Sequence, residues 1–286
     1  MPRMPETPSP SRVVKIPEFK GSLPTRPLYI YLPPGYDDET ETAYPVLYMH
    51  DGQNVFEAYV KDSFAGFSWR ADEAADSLIA SGDIRPLIIV GVSNGDSQRT
   101  AEYLPPYMTI FSKRKAHFRR PITGKADKVL EYYRFEVDPY VRTNYRLLPG
   151  RDNVGTCGSS MGGLLSNYFA WEAPDFARHH AIVSPAYWLT RNQEGGLEML
   201  EQMYFSNPPD VRIWLDSGSE DIPGKGDDGM RETIMARDLL IKLGFRPGKD
   251  FCYYLDKGAI HTEASWAERF PKILKFLFPQ KVYAVR

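Results

Sequence analysis

The chain has 286 residues, of which 42% are hydrophobic and 25% are charged, the composition of an ordinary globular protein with a sizeable core. Its formal net charge is only −2, which argues against a dedicated binder of nucleic acid. The sequence has no apolar run long enough to span a bilayer, and residues 1–12 are polar and proline-rich, unlike a signal peptide. We expect a cytoplasmic protein without membrane or nucleic-acid partners, in which residues 1–12 form a disordered or loosely held tail.

The first third of the chain contains short apolar runs and one helical pattern. Val13–Ile16 and Leu28–Leu32 are β-branched and aromatic, and they predict an antiparallel start to a sheet. Val46–Met49 and Leu87–Val92 are fully apolar, as is typical of strands that are buried on both faces of a parallel sheet. Between these two strands, Trp69–Ile79 has apolar residues at helical spacing.

The rest of the chain continues the alternation of strands and helices. Further strands are predicted at Val154–Cys157, Ala181–Val183, Val211–Leu215 and Phe251–Leu255. Further helices are predicted at Ala126–Tyr145, after the strand at 154–157, at Met230–Leu243 and at Trp266–Phe278. This order predicts one α/β domain over residues 13–286, with helices on both faces of a mostly parallel sheet. Two segments without periodicity, at about 93–125 and 184–210, are predicted to be insertions. The two cysteines, Cys157 and Cys252, fall in apolar strands and are predicted to be buried thiols.

A candidate nucleophile lies in the stretch V-G-T-C-G-S-S-M-G-G-L-L at 154–165. It contains a G-x-S-x-G pattern centred on Ser160, with a strand before it and a helix after it. A strand that reverses at once into a helix forces the serine into strained geometry and exposes its hydroxyl. Glycines at positions 158 and 162 allow the chains to pass closely. The backbone N–H of Met161, at the helix N-terminus, favours an anionic oxygen.

A serine nucleophile needs an imidazole base and a carboxylate that orients it. His261 follows the last predicted strand, so serine, acid and histidine occur in the chain order of α/β-hydrolases. His50, at another strand end, is the rival base, but it precedes the serine. For the acid, Asp216, Glu220 and Asp221 all follow one strand. We favour Asp221, then Glu220, because Gly218 provides a turn that would bring Asp221 back over the sheet.

The chain resembles a family of esterases with the α/β-hydrolase fold, which includes enterochelin esterases, feruloyl esterases, acetyl-xylan esterases, S-formylglutathione hydrolase and mycolyltransferases. The resemblance runs from about residue 30 to 278. It rests on the motifs His50-Asp51-Gly52-Gln53, Trp69…Asp72-Glu73, Asn94…Arg99…Glu102-Tyr103, Gly158–Gly163, Ser184-Pro185…Trp188, Gly218–Asp221 and His261…Trp266. It implies Ser160 as nucleophile, His261 as base and Asp221 as acid. It also implies that the backbone N–H groups of Gln53 and Met161 form the oxyanion hole.

These observations favour a serine carboxylic ester hydrolase that acts on a small-molecule ester through an acyl-enzyme intermediate. The alternatives are an acyltransferase on the same scaffold and a catalytically inactive hydrolase fold that acts as a binding protein. His50, Arg99, Tyr103 and Trp188 are candidate substrate-binding residues. The sequence shows no set of residues with metal-ligand spacing and no nucleotide-binding motif, so we expect neither a metal nor a cofactor.

A basic cluster lies within the first insertion. It consists of Lys113, Arg114, Lys115, Arg119 and Arg120. Such a cluster is most often a solvated surface. The functional alternative is that it attracts an anionic ester substrate.

Overall fold

A computed structural model describes residues 8–110, 121–220 and 226–280. Its central element is an eight-stranded sheet. The strands of this sheet are β1 (Arg12–Phe19), β2 (Arg26–Leu32), β3 (Val46–His50), β4 (Ile88–Val92), β7 (Val154–Ser159), β8 (His179–Val183), β9 (Arg212–Gly218) and β10 (Phe251–Asp256). Two short strands, β5 (Thr109–Ile110) and β6 (Ile122–Thr123), pair separately as an antiparallel ladder.

The strand order in the large sheet is β1-β2-β4-β3-β7-β8-β9-β10. β2 is antiparallel to both β1 and β4, while all pairings from β4 to β10 are parallel. The predicted antiparallel start and the mostly parallel sheet are therefore confirmed. The carboxyl ends of the parallel strands lie at one edge, which is where ligand and catalytic groups gather in open α/β sheets.

The helices cover both faces of the sheet. They are α1 (Ala71–Ala80), α2 (Arg99–Tyr103), α3 (Ala126–Tyr132), α4 (Asp138–Asn144), α5 (Met161–Glu172), α6 (Glu198–Phe205), α7 (Met230–Lys242) and α8 (Glu263–Leu277), with a π-helical turn at Tyr133–Val137 that joins α3 to α4. Buried residues of α3 to α7 form one core cluster, and those of α1 and α8 form the other. Successive residues of β3 alternate between the two clusters, as the two-residue period of a strand requires.

Several boundaries differ from the sequence expectation. The closing helix begins at Glu263, three residues before the predicted start, because Thr262 caps it by accepting a hydrogen bond from the Ser265 N–H. β9 extends through Gly218, so that Asp216 lies inside the strand rather than at its end. The two predicted insertions contain α2, the β5–β6 ladder and α6.

The start of the described chain is held by hydrogen bonds, in contrast to the loose tail expected over residues 1–12. The Ser9 carbonyl accepts a hydrogen bond from the Gly35 N–H at 2.9 Å, the Ser11 hydroxyl donates to Asp76 at 2.6 Å, and Arg12 opens β1. Residues 1–7 lie outside the described part of the chain. Both cysteines are free thiols, and Cys157 is buried as expected, while Cys252 is half-buried.

Candidate active site

Ser160 lies at the turn between β7 and α5, as predicted. Its φ of 57° and ψ of −120° place a non-glycine residue in a conformation that L-residues rarely adopt. A Cβ at Gly158 would lie 2.7 Å from the Gly162 carbonyl oxygen and 2.8 Å from the His50 ring. Only glycine therefore fits at position 158, and its lack of a side chain allows the strand to pass directly under the start of the helix.

The nucleophile turn is tied to the segment that follows β8. The Ser160 N–H donates to the Val183 carbonyl at 3.0 Å, and the Ser160 carbonyl accepts from the Ala186 N–H at 3.0 Å. Two hydrogen bonds to a neighbouring segment compensate for the unfavourable dihedral angles of Ser160. The strained conformation is thus fixed by tertiary structure.

His261 follows β10 and contacts the carboxylate of Asp228 through Nδ1. An ionised carboxylate can only accept hydrogen bonds, so this contact places the imidazole proton on Nδ1 and leaves Nε2 as an acceptor. The imidazole ring is in edge contact with two indoles, with centroid distances of 5.5 Å to Trp188 and 5.0 Å to Trp266. The two indoles restrict the orientation of the ring, while its side chain keeps 20% of its surface exposed.

Asp228 is the carboxylate that sequence reasoning missed. It lies in the loop before α7, its side chain is fully buried, and its backbone is left-handed with a φ of 56°. Its Oδ2 accepts hydrogen bonds from the Gly218 N–H and, at 2.7 Å, from the Ser184 hydroxyl. Together with the His261 contact, these bonds hold both carboxylate oxygens in place.

The carboxylates that were weighed as the acid occupy different environments. Asp221 lies outside the described residues. Glu220 is exposed, and its side chain has no hydrogen-bond partner among residues 8–110, 121–220 and 226–280. Asp216 is fully buried and accepts from the Trp214 indole N–H at 2.7 Å. Burial raises the pKa of Asp216 in spite of the neighbouring Arg269. Neither Glu220 nor Asp216 contacts His261.

The two candidate oxyanion donors lie at helix starts beside the nucleophile. Gln53 is in the 3₁₀ turn Gly52–Asn54 that follows β3, and Met161 is the first residue of α5. Within the part of the chain that the structure describes, neither backbone N–H has a hydrogen-bond acceptor. A Cβ at Gly52 would overlap the backbone of Gly91, so this turn packs directly on β4. Both N–H groups are therefore free to bind an oxygen at rigid positions.

His50, the rival base, is buried beneath the nucleophile turn. Its Nδ1 lies 2.8 Å from the Tyr133 hydroxyl, and burial lowers the pKa of His50 to about 3. Its side chain is only 3% exposed, so it packs under the site and does not offer a surface to a substrate. The His50 ring lies against Gly158 and so packs under the turn that carries Ser160.

A charged cluster surrounds Asp51, which directly precedes the 3₁₀ turn Gly52–Asn54. Arg99 donates to both oxygens of Asp51 at 2.7 Å, Asn94 donates to Asp51 at 2.6 Å, and the Asp51 N–H donates to the buried Tyr103 hydroxyl at 3.0 Å. Burial alone would raise the pKa of Asp51, but the Arg99 guanidinium and the Asn94 amide hold it below its ordinary value. Arg99 and Tyr103, which were candidate substrate-binding residues, thus act on the loop that carries Gln53.

A cleft of about 560 Å³ adjoins the histidine through Trp188, which is 37% exposed. Its walls come from residues 107–110, which end in β5, and from residues 188–193, with Tyr107, Met108 and Leu189 as apolar lining. A volume of this size is typical of sites for small molecules. Trp188 therefore lies both in the wall of this cleft and in contact with His261. The basic cluster between residues 113 and 120 lies outside the described residues.

Among residues 8–110, 121–220 and 226–280, there is no group of three or more histidine, cysteine, aspartate and glutamate side chains that could hold a metal ion. Within the same ranges, no helix has the length and apolar character needed to cross a membrane.

The family model described as "Putative esterase" matches residues 24–277. The chain belongs to this esterase family. The match spans most of the chain and includes the turn at Ser160, the segment that follows β8 and the loop that carries His261. This member of the family is a carboxylic ester hydrolase of the serine esterase class.

Solved structures share the α/β-hydrolase fold of this esterase. An IroE-like serine hydrolase from Shewanella oneidensis is 21% identical, with a TM-score of 0.67 and coverage of 92% of this chain and 79% of that one. The enterobactin esterase FES from Shigella flexneri is 19% identical, with a TM-score of 0.65 and coverage of 97% and 63%. The ferulic acid esterase AmCE1/Fae1A from Anaeromyces mucronatus, in complex with ferulic acid, is 17% identical, with a TM-score of 0.63 and coverage of 93% and 90%.

One curated relative is similar over nearly its whole length. It is the uncharacterized protein YbbA of Bacillus subtilis (strain 168), which is 23% identical over 270 residues, or 91% of this esterase and 97% of YbbA.

Proposed function

We propose that this esterase hydrolyses its substrate through a triad of Ser160, His261 and Asp228. The observation that carries this proposal is the contact between the His261 Nδ1 and the buried Asp228 carboxylate. In this proposal the acid is Asp228, whereas the family resemblance implies Asp221. His261 Nε2 then takes the proton of the Ser160 hydroxyl while Ser160 attacks the ester carbonyl.

The oxygen that becomes negative in this attack is bound by the N–H groups of Gln53 and Met161. Each such donor lowers the barrier by about 2.7–4 kcal/mol, because it is aimed at charge that develops only in the transition state. His261 next donates the proton to the leaving alcohol, which leaves an acyl group on Ser160. Water, activated by the same imidazole, resolves this acyl-enzyme and restores the free serine.

We further propose that the ester carries an aromatic group, which occupies the cleft beside Trp188. The cleft is lined by aromatic and apolar side chains and lies next to the histidine. Two of the similar structures support this proposal, since one was solved with 2,3-dihydroxy-N-benzoyl-serine and one with ferulic acid. A phenolic acyl group fits both the volume and the chemistry of this cleft.

The triad is tested by turnover of p-nitrophenyl butyrate. Ser160→Ala and His261→Ala should each lower kcat by about 10⁴-fold or more. Asp228→Asn should lower kcat by about 10³–10⁴-fold, because an amide can stabilise the wrong imidazole tautomer. Asp227→Asn is the matched control, since Asp227 is the chain neighbour and pairs with Arg231 at 3.3 Å. It should retain activity within about threefold.

The choice of acid is decided by one further variant, Asp221→Asn. We expect it to retain near-normal kcat. If Asp221→Asn lost activity while Asp228→Asn kept it, Asp221 would be the acid and our assignment would be wrong. An active Ser160→Ala enzyme would overturn the serine mechanism as a whole.

The aromatic specificity is tested with methyl ferulate and p-nitrophenyl acetate. Tyr107→Ala, in the wall of the cleft, should raise KM for methyl ferulate by about 5–50-fold and leave KM for the acetate within about twofold. Tyr204→Ala is the control, because Tyr204 is an exposed aromatic on α6 that does not line the cleft. Equal effects of Tyr107→Ala on the two esters would contradict the assignment.

A further inference from the structure

A buried set of polar side chains lies directly behind the Asp228 carboxylate. Ser184, directly after β8, donates its hydroxyl proton to Asp228 Oδ2 at 2.7 Å. The Ser184 oxygen accepts a hydrogen bond from the Arg269 guanidinium at 2.7 Å and another from the Trp266 indole N–H at 3.1 Å. Ser184 and Arg269 have no exposed surface, and Trp266 is 4% exposed.

The donors around Ser184 determine the direction of its hydroxyl. A serine hydroxyl has one proton and two lone pairs. Arg269 and Trp266 can only donate, so they occupy the two lone pairs. The single proton is then left for the Asp228 oxygen. The hydroxyl therefore cannot turn away from the carboxylate without leaving a buried donor unpaired, which costs about 1–3 kcal/mol.

The Arg269 charge is only partly matched by its nearest carboxylate. Arg269 Nη2 lies 3.5 Å from Asp216 Oδ1, while its Nε and Nη1 have no hydrogen-bond partner in the described ranges. Burial raises the pKa of Asp216. The second carboxylate within reach of this guanidinium is Asp228, through the Ser184 hydroxyl.

We propose that Ser184 and Arg269 are positioning residues of the catalytic triad, which hold and polarise Asp228 through one shared hydroxyl group. This inference rests on the proposed function, because it requires Asp228 to orient His261. The chain Arg269–Ser184–Asp228–His261 consists of successive hydrogen bonds between a buried cation and the catalytic base. Low local dielectric strengthens each of these bonds.

Removal of the hydroxyl would leave Asp228 Oδ2 with the Gly218 N–H as its only hydrogen-bond donor among the described residues. The carboxylate could then rotate, and the imidazole would lose its fixed orientation toward Ser160. Loss of such supporting partners of a reactive group typically lowers activity by about 10–100-fold. Substrate binding does not involve Ser184, so KM should stay within about twofold.

The test compares Ser184→Ala with Ser166→Ala in turnover of p-nitrophenyl butyrate, with active sites counted by a fluorophosphonate probe. Alanine keeps the Cβ of Ser184, so the backbone with its φ of 38° is equally strained in both forms. Ser166 is the matched control, because it is a buried serine whose hydroxyl has no hydrogen-bond partner among the residues that the structure describes. We expect kcat to fall about 10–100-fold in Ser184→Ala and less than threefold in Ser166→Ala.

A spectroscopic readout separates positioning from general loss of packing. The imidazole Nδ1 proton of His261 should give a downfield proton NMR signal, identified by its absence in His261→Ala. We expect this signal to move upfield or broaden in Ser184→Ala. Arg269→Met should produce the same change, and Arg269→Lys, which keeps the charge, should restore part of both kcat and the signal.

The outcomes are distinct from those for the proposed function, which depends on Ser160→Ala and Asp228→Asn. If those two variants were inactive while Ser184→Ala kept normal kcat and an unchanged NMR signal, the positioning role would be overturned and the triad would stand. A loss in Ser184→Ala that appeared only as a higher KM would overturn it as well. If Arg269→Met did not fold, Ser184→Ala alone would decide, because it removes no charge.

Discussion

Three buried histidines should make this esterase sensitive to mild acid. His50, His179 and His180 are at most 7% exposed, and burial lowers the pKa of each to about 3, against 6.5 for an ordinary histidine. Between these two values the unfolded chain binds more protons than the folded protein. The contribution of these histidines to the free energy of unfolding is therefore fully present above about pH 6.5 and falls as the pH decreases toward about 3.

The size of the effect follows from proton linkage. Each histidine contributes about 1.4 kcal/mol per pH unit within this window, and this amounts to about 2 kcal/mol between pH 8 and pH 5. The three together would remove about 6 kcal/mol, which is a large share of the 5–15 kcal/mol that stabilises a typical domain. Urea unfolding measured from pH 8 to pH 5 should show this loss.

A single variant tests the origin of the loss. His180 contacts the Thr156 hydroxyl at 2.8 Å and the Ala177 carbonyl at 3.1 Å, and glutamine can make similar hydrogen bonds without titrating. His180→Gln should reduce the dependence of unfolding free energy on pH by about a third. A free energy that stayed constant from pH 8 to pH 5, or an unchanged slope in His180→Gln, would refute the reasoning.

Two further substitutions test the supports of the site. Gly218→Ala should lower stability by about 1–3 kcal/mol and kcat by at least tenfold, measured by urea unfolding and butyrate turnover, because its Cβ would overlap the Ala259 carbonyl and lie 2.9 Å from Asp228. Arg99→Met should lower stability by about 2–3 kcal/mol, since it leaves Asp51 buried without its cation. Arg70→Met, at an exposed pair, should change stability by less than about 1 kcal/mol, and an equal loss there would contradict this account.

The sequence was sufficient to predict the sheet and the strained strand-to-helix turn at Ser160 because both depend on local pattern. A continuous apolar run such as Val46–Met49 indicates a strand that is buried on both faces of a sheet, and the run can be recognised without knowledge of its partners. Ser160 is similar, since its strain follows from a strand, two glycines and a helix that are contiguous in the chain. His261 could be predicted because it follows a strand that such patterns identify.

The environment of the acid depends on contacts that local patterns do not contain. Asp228 lies ten residues beyond the end of β9, in a left-handed turn before α7, while the sequence argument considered carboxylates close to the strand end. The one available signal was the Asp227-Asp228-Gly229 run directly before a helical pattern, which is more commonly a helix cap. Whether Asp221 also contributes stays a prediction.

Arg269 was missed for a related reason. In a helical pattern an arginine is assigned to the solvent face, because charged residues are almost never fully buried unless they are paired. Its burial is possible because Ser184, which follows β8, and Asp216 of β9 both approach α8 at this point. Periodicity within one helix contains no information about partners on other elements.

The four-residue segment from Val183 to Ala186 contacts both Ser160 and Asp228, the proposed nucleophile and acid. Its first and last residues hold the backbone of Ser160, and its second residue holds Asp228. The same segment therefore holds the backbone of Ser160 and the carboxylate of Asp228, although these residues are 68 positions apart in the sequence. The walls of the cleft come from residues 107–110 and 188–193, which lie outside this segment. Those residues can therefore change, and with them the proposed preference for an ester, while the segment from Val183 to Ala186 keeps its hydrogen bonds.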